Sequence, residues 1–246
     1  MKNYLYADFH RIMTKKSRIF LTFLLGIIDF IVVFMRARSA PNDIQATYEI
    51  GNFDVIYMII IVMITIMISF QDDFRAKSMQ AALGNGVKRH QIVLVKWLNL
   101  ILISVLSLVF LTILEFIPLI ILNRVSNSFV ISQVLLNQLI IICTIAVTTA
   151  LSLLVLFQTQ TALLGVLAYA YLTMSITSIL FSMAISNKLV QRFQLWNIDA
   201  AHQMETFLTK LSFGQFDIRN FLILAFYFAL GIGGSIYLFR KKELDF

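Results

Sequence analysis

Long apolar runs, separated by polar segments, form the main pattern of this sequence. Six runs of 17 residues or more are mainly apolar, at positions 19–35, 53–70, 98–122, 134–157, 162–185 and 221–239. A helix rises about 1.5 Å per residue, so each run is long enough, or nearly so, to cross the hydrocarbon layer of a membrane. The pattern predicts an all-α polytopic membrane protein with six transmembrane helices, folded as a single domain over 1–246.

The positions of lysine and arginine predict which side of the membrane each loop faces. The N-terminal segment, the segment 71–97 and the C-terminal segment together carry 13 of these residues, whereas the loops on the other side carry seven. Short loops rich in lysine and arginine stay in the cytoplasm. We therefore expect a cell-membrane protein with both termini in the cytoplasm, a tight cytoplasmic turn at 158–161 and an extracellular loop at 186–220.

Two of the polar segments contain helical patterns of their own. In 1–18, apolar residues such as Leu5 and Phe9 recur at helical spacing, which predicts an interfacial helix; an ordinary basic flank is the alternative. In 186–220, apolar residues three and four apart follow a capping residue, Asp199. That spacing predicts an amphipathic helix, which either covers the outer mouth of the spans or rests on lipid headgroups.

The segment 71–97, between the second and third runs, is longer than a simple connection needs to be. Asp72 and Asp73 favour the start of a helix, and Met79 and Leu83 would lie on one face of it. The sequence Gly-Asn-Gly then breaks this helix, because glycine accepts left-handed backbone angles. The pattern predicts a helix, a turn and a second helix in the cytoplasm, with an apolar knob formed by Met79 and Leu83. A basic loop lying on anionic lipid is the alternative.

Composition and charge support a membrane protein and exclude several other classes. The chain is 59% hydrophobic and 13% charged, whereas soluble domains are roughly one quarter charged. Its formal net charge is +7, but the basic residues stand at the ends of the apolar runs, so the charge does not indicate nucleic-acid binding. The single cysteine, Cys143, lies inside an apolar run and excludes a disulfide framework.

Together these features resemble the membrane subunit of an ABC-2 type ATP-binding cassette exporter. A basic amphipathic N-terminal segment precedes six runs, and the chain ends in FRKKELDF directly after the last run. The first cytoplasmic loop follows the family's order of acid, short helix, turn, arginine, isoleucine and lysine, at Asp72/Asp73, 79–83, 84–86, Arg89, Ile92 and Lys96. The short chain is most similar to exporters of amphipathic peptides, of the bacteriocin-immunity or phenol-soluble modulin type.

The resemblance implies a mechanism and a set of partners. The loop would hold a coupling helix that docks on a separate cytoplasmic ATPase, with the coupling residues Asp72, Asp73, Met79, Leu83 and Arg89. Two copies of that ATPase would bind ATP and Mg²⁺, and a second permease subunit, identical or related, would complete the pathway for an amphipathic peptide or hydrophobic substrate. A non-transporting scaffold or sensor subunit and an ion-driven carrier are the alternatives.

The sequence contains no motif for chemistry of its own. It lacks the pattern G-x-x-x-x-G-K-[ST] that binds nucleotide phosphates. The three histidines, His10, His90 and His202, lie far apart and lack the spacing of a zinc site. We therefore expect no catalytic residue, no bound cofactor and no metal site in this chain, and any ATP must be hydrolysed by a partner.

Two acids stand deep inside the apolar runs. A charge near the middle of a membrane costs about 2.5–3.5 kcal/mol on insertion scales, so Asp29 and Glu115 should face protein or water. Each precedes the polar end of its run by seven or eight residues, which places both about 10–12 Å below the outer surface. They are candidates for a translocation pathway that favours cationic peptides. A structural role, with each acid protonated or hydrogen-bonded, is the alternative.

Overall fold

The computed structural model describes residues 2–39, 43–75, 78–122, 128–174, 202–204, 206–207, 210 and 215–241. In this part of the chain all regular structure is helical, which confirms the all-α class. The helices are α1 Lys2–Met13, α2 Lys16–Ser39, α3 Asp43–Arg75, α4 Ser78–Gly84, α5 Arg89–Ile121, α6 Ser128–Thr159, α7 Ala162–Thr173 and α8 Ile218–Lys241.

Among the described residues, five helical segments are long and apolar enough to cross a membrane, as expected for a membrane protein. They are Lys16–Ser39, Asp54–Phe74, Arg89–Ile121, Val134–Thr159 and Ile218–Lys241. The predicted run 162–185 is described only as far as Met174 and contains the shorter apolar helix α7. The prediction of six spans is therefore not confirmed. Most of the predicted loop 186–220 lies outside the described residues, but of the helix predicted after Asp199 the residues 202–204, 206–207 and 210 are described and are helical.

Three helices form the centre of the bundle, and three others pack around them. α3, α5 and α6 contact one another, while α2 packs against α3 and α5, α7 against α3 and α6, and α8 against α5 and α6. In α3, 56% of the apolar segment is buried, against 22% in α2 and in α8. The peripheral helices therefore expose broad apolar faces, as membrane lipid requires of a spanning helix.

Glycine allows the closest helix contact in the bundle, between α6 and α8. A Cβ atom added to Gly231 would lie 2.5 Å from the carbonyl carbon of Ala150, and one added to Gly234 would lie 2.7 Å from Cδ1 of Leu154. Gly233, on another face, has no heavy atom within 4 Å of the same position. Small residues on one face thus let these two backbones approach closely, as is common between membrane helices.

The described end of the last helix lies beside the loop between α3 and α5. Arg89, the first residue of α5, donates hydrogen bonds from Nη1 to the backbone oxygens of Phe239 at 2.7 Å and Arg240 at 2.9 Å. These carbonyls belong to the last turn of α8, where a cation is favoured by the helix dipole. Phe157, near the end of α6, packs on Phe239 with ring centroids 4.8 Å apart. We call this end of the bundle the loop end.

Two predicted turns are confirmed at the loop end. α6 and α7 are joined by two residues only, of which Gln160 has a positive φ of 56°. Between α4 and α5, Gly86 has a φ of 83°, the left-handed conformation expected of a glycine in the Gly-Asn-Gly turn. The side of the membrane on which these turns lie stays a prediction.

Candidate functional site

Three carboxyl groups meet inside the bundle, one from each of three helices. Asp29 of α2, Asp54 of α3 and Glu115 of α5 each place a carboxylate oxygen within 4.8 Å of the other two. None of the three residues exposes more than 1% of its surface. We call these residues the acid cluster. Within the described part of the chain, no lysine or arginine forms an ion pair with any of them.

A fourth polar side chain, Gln138 of α6, lies against the acid cluster. Its Nε2 atom donates a hydrogen bond to Oδ2 of Asp54 at 3.0 Å. The carboxyl groups of Asp54 and Glu115 lie within hydrogen-bonding reach of each other, provided that one of them carries a proton. Apart from that contact, six buried oxygens of the acid cluster and Gln138 have no hydrogen-bond partner among the described residues: both of Asp29, both of Glu115, Oδ1 of Asp54 and Oε1 of Gln138.

The structure brings the two predicted acids together and adds two residues that sequence reasoning missed. Asp29 and Glu115 were expected at equal depth, and they are now seen to belong to one cluster. Asp54 is the second residue of its apolar run, so it looked like the polar edge of a span. Gln138 is one of two adjacent amides, with Asn137, near the start of a long apolar run. The available signal was that both residues lie near the outer end of their runs, the end at which Asp29 and Glu115 were also expected.

Apolar contacts enclose the acid cluster above and below. One turn further along α2 and α5, Val33 and Leu119 are buried in a small apolar group. One turn earlier on α2, Gly26 lets α5 approach so closely that an added Cβ atom would lie 2.9 Å from Cε1 of Phe110. The acids therefore face protein in this conformation and do not line an open passage through the described residues. Their role in a pathway stays a prediction.

A second charged group, with both signs present, lies at the loop end. Lys96 of α5 places Nζ 2.7 Å from Oδ1 of Asp8 on α1 and also contacts the carboxylate of Asp73 at the end of α3. Arg11 bridges the same two acids, at 2.7 Å from Asp8 and 2.8 Å from Asp73. Asn99 donates to Oδ2 of Asp8 at 2.7 Å. We call Asp8, Arg11, Asp73 and Lys96 the ion network.

The charged groups of the ion network are buried, but their positive and negative charges balance. Lys96 is fully buried, and the side chains of Asp8 and Asp73 are 4% and 2% exposed. Burial alone would raise the pKa of Asp8, but the charge and hydrogen bond of Lys96, with Arg11 and Asn99, hold that pKa below its usual value. Burial would lower the pKa of Arg11, and the two aspartates raise it instead. Two acids and two bases thus neutralise one another at this site.

The ion network shows that α1 is more than an interfacial helix. Asp8, a charged residue of the predicted interfacial helix, is buried against α5. Ile12, from the apolar stripe, is buried as well. α1 therefore packs onto the ends of α3 and α5. That the rest of the α1 surface lies on lipid stays a prediction.

The coupling residues at the start of the loop have other positions than expected. Asp72 and Asp73 do not cap a new helix, because α3 continues through both and ends at Arg75. Asp72 pairs with Lys15 at 2.6 Å near the surface. Asp73 turns inward to the ion network and accepts a hydrogen bond from the Ser78 hydroxyl. The N-cap prediction is wrong because the apolar face of α3 extends past the membrane run and packs on α1.

The apolar knob predicted on this loop is also corrected. α4 does form, but Met79 is fully buried in the core of the chain and Leu83 is half-buried against that core. The exposed residues of α4 and the turn after it are Ala81, Gly84, Asn85, Gly86 and Lys88. Met79 faces inward because the nearest apolar surface is that of α3 and α5 in the same chain. A coupling role for the loop stays a prediction.

An apolar groove lies beside the acid cluster. It has a volume of about 550 Å³ and is lined by α3 and the end of α7, at Val55, Ile56, Ile59, Ile60, Met63, Thr173 and Met174. Val55 directly follows the acid-cluster residue Asp54 on α3. An apolar surface and buried acids therefore occupy the same end of the bundle. A search with models of known protein families and a search of curated proteins both gave no match to this chain.

Proposed function

We propose that this chain is the membrane subunit of an ATP-driven exporter of amphipathic or hydrophobic compounds, with peptides the expected class. One observation carries the proposal: the helix α4, between the second and third spans, packs on α3 and buries side chains in the apolar core that α3 and α5 share. Met79 and Ala82 anchor it in the same apolar core as Phe70 of α3 and Val93 of α5. Ser78 anchors its first turn to the ion network through Asp73.

This attachment supports a mechanical role for the loop. A partner that moves α4 must also move the ends of α3 and α5, because interfaces packed in this way shift as units. The same two helices carry Asp54 and Glu115 at their other ends. Movement at the loop end would therefore reach the acid cluster and the groove beside it, which is what coupling between an ATPase and a substrate pathway requires.

The partners and location follow from the same proposal. Two cytoplasmic ATPases would bind ATP and Mg²⁺, and the chain itself would have no catalytic residue. A second permease subunit, identical or related, would complete the pathway, since the described helices enclose no passage of their own. Both termini and the loop end would lie in the cytoplasm of a cell-membrane protein, with Asp29 and Glu115 near its outer side.

The acid cluster favours a second candidate, an ion-driven carrier. Buried acids within membrane helices are typical of proton and ion pathways. A carrier of this kind would transport substrate in response to an ion gradient and would need no ATPase. A scaffold or sensor subunit, the third alternative, has no specific structural observation in its favour.

The test uses the exposed part of α4, since the buried Met79 cannot report on a partner without damaging the fold. Ala81→Glu adds a charge to the exposed face, and Ser17→Glu adds the same charge at another exposed position of the loop end. Both tagged variants and the wild type are purified from native membranes and reconstituted in vesicles. We measure the co-purified ATP-binding cassette ATPase, ATP hydrolysis and export of a fluorescent amphipathic peptide.

The exporter proposal expects ATP-dependent export by the wild type and by Ser17→Glu. It expects Ala81→Glu to fold normally but to lose most of its bound ATPase and its export, since an unpaired charge at a buried contact costs several kcal/mol. Export by Ala81→Glu at the wild-type rate would remove the coupling role of α4. Export driven by an ion gradient without ATP would establish the carrier instead.

A further inference from the structure

The acid cluster is a concentration of negative charge that the rest of the described structure does not balance. Asp29, Asp54 and Glu115 contribute up to three negative charges from three helices, with an oxygen of each within 4.8 Å of the others. Like charges this close repel strongly where water is absent. The ion network at the other end shows that this chain pairs buried acids with bases elsewhere. The cluster therefore has to take up positive charge from outside these residues, either as protons or as a bound cation.

Gln138 is an independent indication of a ligand. Its side chain is 7% exposed and belongs to a fourth helix, α6. Nε2 is satisfied by Asp54, but the amide oxygen has no hydrogen-bond partner although it is buried beside the acids. An amide oxygen repels carboxylates and gains nothing from them. It is, however, a ligand that hard cations accept readily together with carboxylates.

We propose that Asp29, Asp54, Glu115 and Gln138 form a binding site for a hard divalent cation of the Mg²⁺, Ca²⁺ or Mn²⁺ class. The donor atoms are all oxygens, and the cluster contains no histidine or cysteine, which favours these ions over zinc or copper. A divalent cation leaves one negative charge on the three acids. A single proton between Asp54 and Glu115, which lie within hydrogen-bonding reach of each other, balances that charge. A monovalent cation would leave two.

Cation binding would join four helices at the end of the bundle that lacks the ion network. The ligands come from α2, α3, α5 and α6, and each of these helices packs on at least two of the others. The apolar residues above and below would keep water and lipid from the ion. The inference does not depend on the proposed transport function, because a bound cation would stabilise this bundle whether or not it moves a substrate.

The experiment measures Mn²⁺ binding to the full chain in lipid nanodiscs. The protein is stripped with a chelator, dialysed against Mn²⁺ at neutral pH, and its bound metal is counted; the melting temperature is recorded with and without Mn²⁺. Glu115→Gln replaces a charged carboxylate ligand with a neutral amide, and Gln138→Leu removes the amide ligand, both at nearly constant volume. Asp217→Asn is the matched control, since Asp217 is a partly exposed acid outside the bundle that pairs with Lys210.

We expect one Mn²⁺ per chain in the wild type and in Asp217→Asn, with a higher melting temperature in its presence. Binding should weaken by at least about tenfold in Glu115→Gln and in Gln138→Leu, as for the loss of groups that support a metal site, while both variants elute as folded protein. The proposal is overturned if the wild type binds no stoichiometric Mn²⁺. It is also overturned if the two ligand variants bind Mn²⁺ as tightly as the control does.

Discussion

The two charged groups of this bundle lie on the same pair of helices and differ in how their charge is balanced. Nineteen residues separate Asp54 from Asp73 on α3, and nineteen separate Lys96 from Glu115 on α5, so the ion network and the acid cluster are about 28 Å apart. That distance is close to the thickness of the hydrocarbon layer. The ion network contains both signs, and the acid cluster contains one sign only.

This difference shows that burial alone does not determine whether an acidic residue has a structural role or belongs to a binding site. A buried ion pair that loses one member leaves an uncompensated charge, which costs about 3–5 kcal/mol. A buried group of like charges gains stability when one charge is removed, because repulsion is relieved. The ion network should therefore behave as structure, whereas the acid cluster should behave as a site kept at some cost to stability.

Breaking the ion network should have the largest effect. In Lys96→Met, Asp8 and Asp73 keep only Arg11 as a cation among their described partners. We expect a loss of about 3–5 kcal/mol in the free energy of unfolding, measured by thermal unfolding in detergent with tryptophan fluorescence. Lys15→Met, at the exposed pair with Asp72, should cost less than about 1 kcal/mol. Equal losses in the two variants would mean that burial of the network adds nothing.

A substitution in the uncharged middle of the bundle gives a reference for the size of these changes in stability. Gly231→Ala places a methyl group against the backbone of Ala150 on α6, so α8 must shift. Overpacking of this kind costs about 1–3 kcal/mol, seen as a lower melting temperature. Gly233→Ala, in open space, should be neutral or slightly stabilising, since alanine favours a helix. If Gly233→Ala destabilises as much as Gly231→Ala, the close contact with Ala150 is not the cause of the loss.

Neutralising the acid cluster should change stability in the opposite direction. In chelator, we expect Glu115→Gln to raise the free energy of unfolding by roughly 1 kcal/mol, or the melting temperature by about 2–4 °C. With saturating Mn²⁺ the order should reverse, because a ligand that binds only the folded wild type stabilises it. A lower melting temperature for Glu115→Gln in chelator would mean that the acid forms a stabilising contact of its own.

The smallest effect should appear at acid pH, where the ion network loses charge. The pKa of Asp8 is lowered in the folded chain from 3.8, its ordinary value. Its stabilising contribution is therefore complete above pH 3.8 and is lost as the pH falls through the lower folded-state pKa. The wild type should lose stability on acidification in that range, and Asp8→Asn should lose less, as followed by unfolding curves from pH 6 to pH 2.5. Parallel curves for the two proteins would exclude Asp8 from this effect.

Residues at both ends of the bundle illustrate how far the sequence could go. The apolar runs and the Gly-Asn-Gly turn predicted the described spans and the left-handed Gly86, because both signals are local. Asp29 and Glu115 could be singled out because a charge inside an apolar run is costly wherever its helix packs. Met79 was misplaced, since helical spacing identifies an apolar face but not the surface that covers it.

The sequence by itself determined that this chain is helical, where most of its apolar segments lie and which acids cannot face lipid. Only the tertiary structure decided that Asp8 meets Lys96, 88 residues away, and that Asp54 and Gln138 join Asp29 and Glu115. The physical reason is that helix formation depends on hydrogen bonds and side chains within a few residues. The partner of a buried charge depends instead on which helices become neighbours, and that choice is made by packing over the whole bundle.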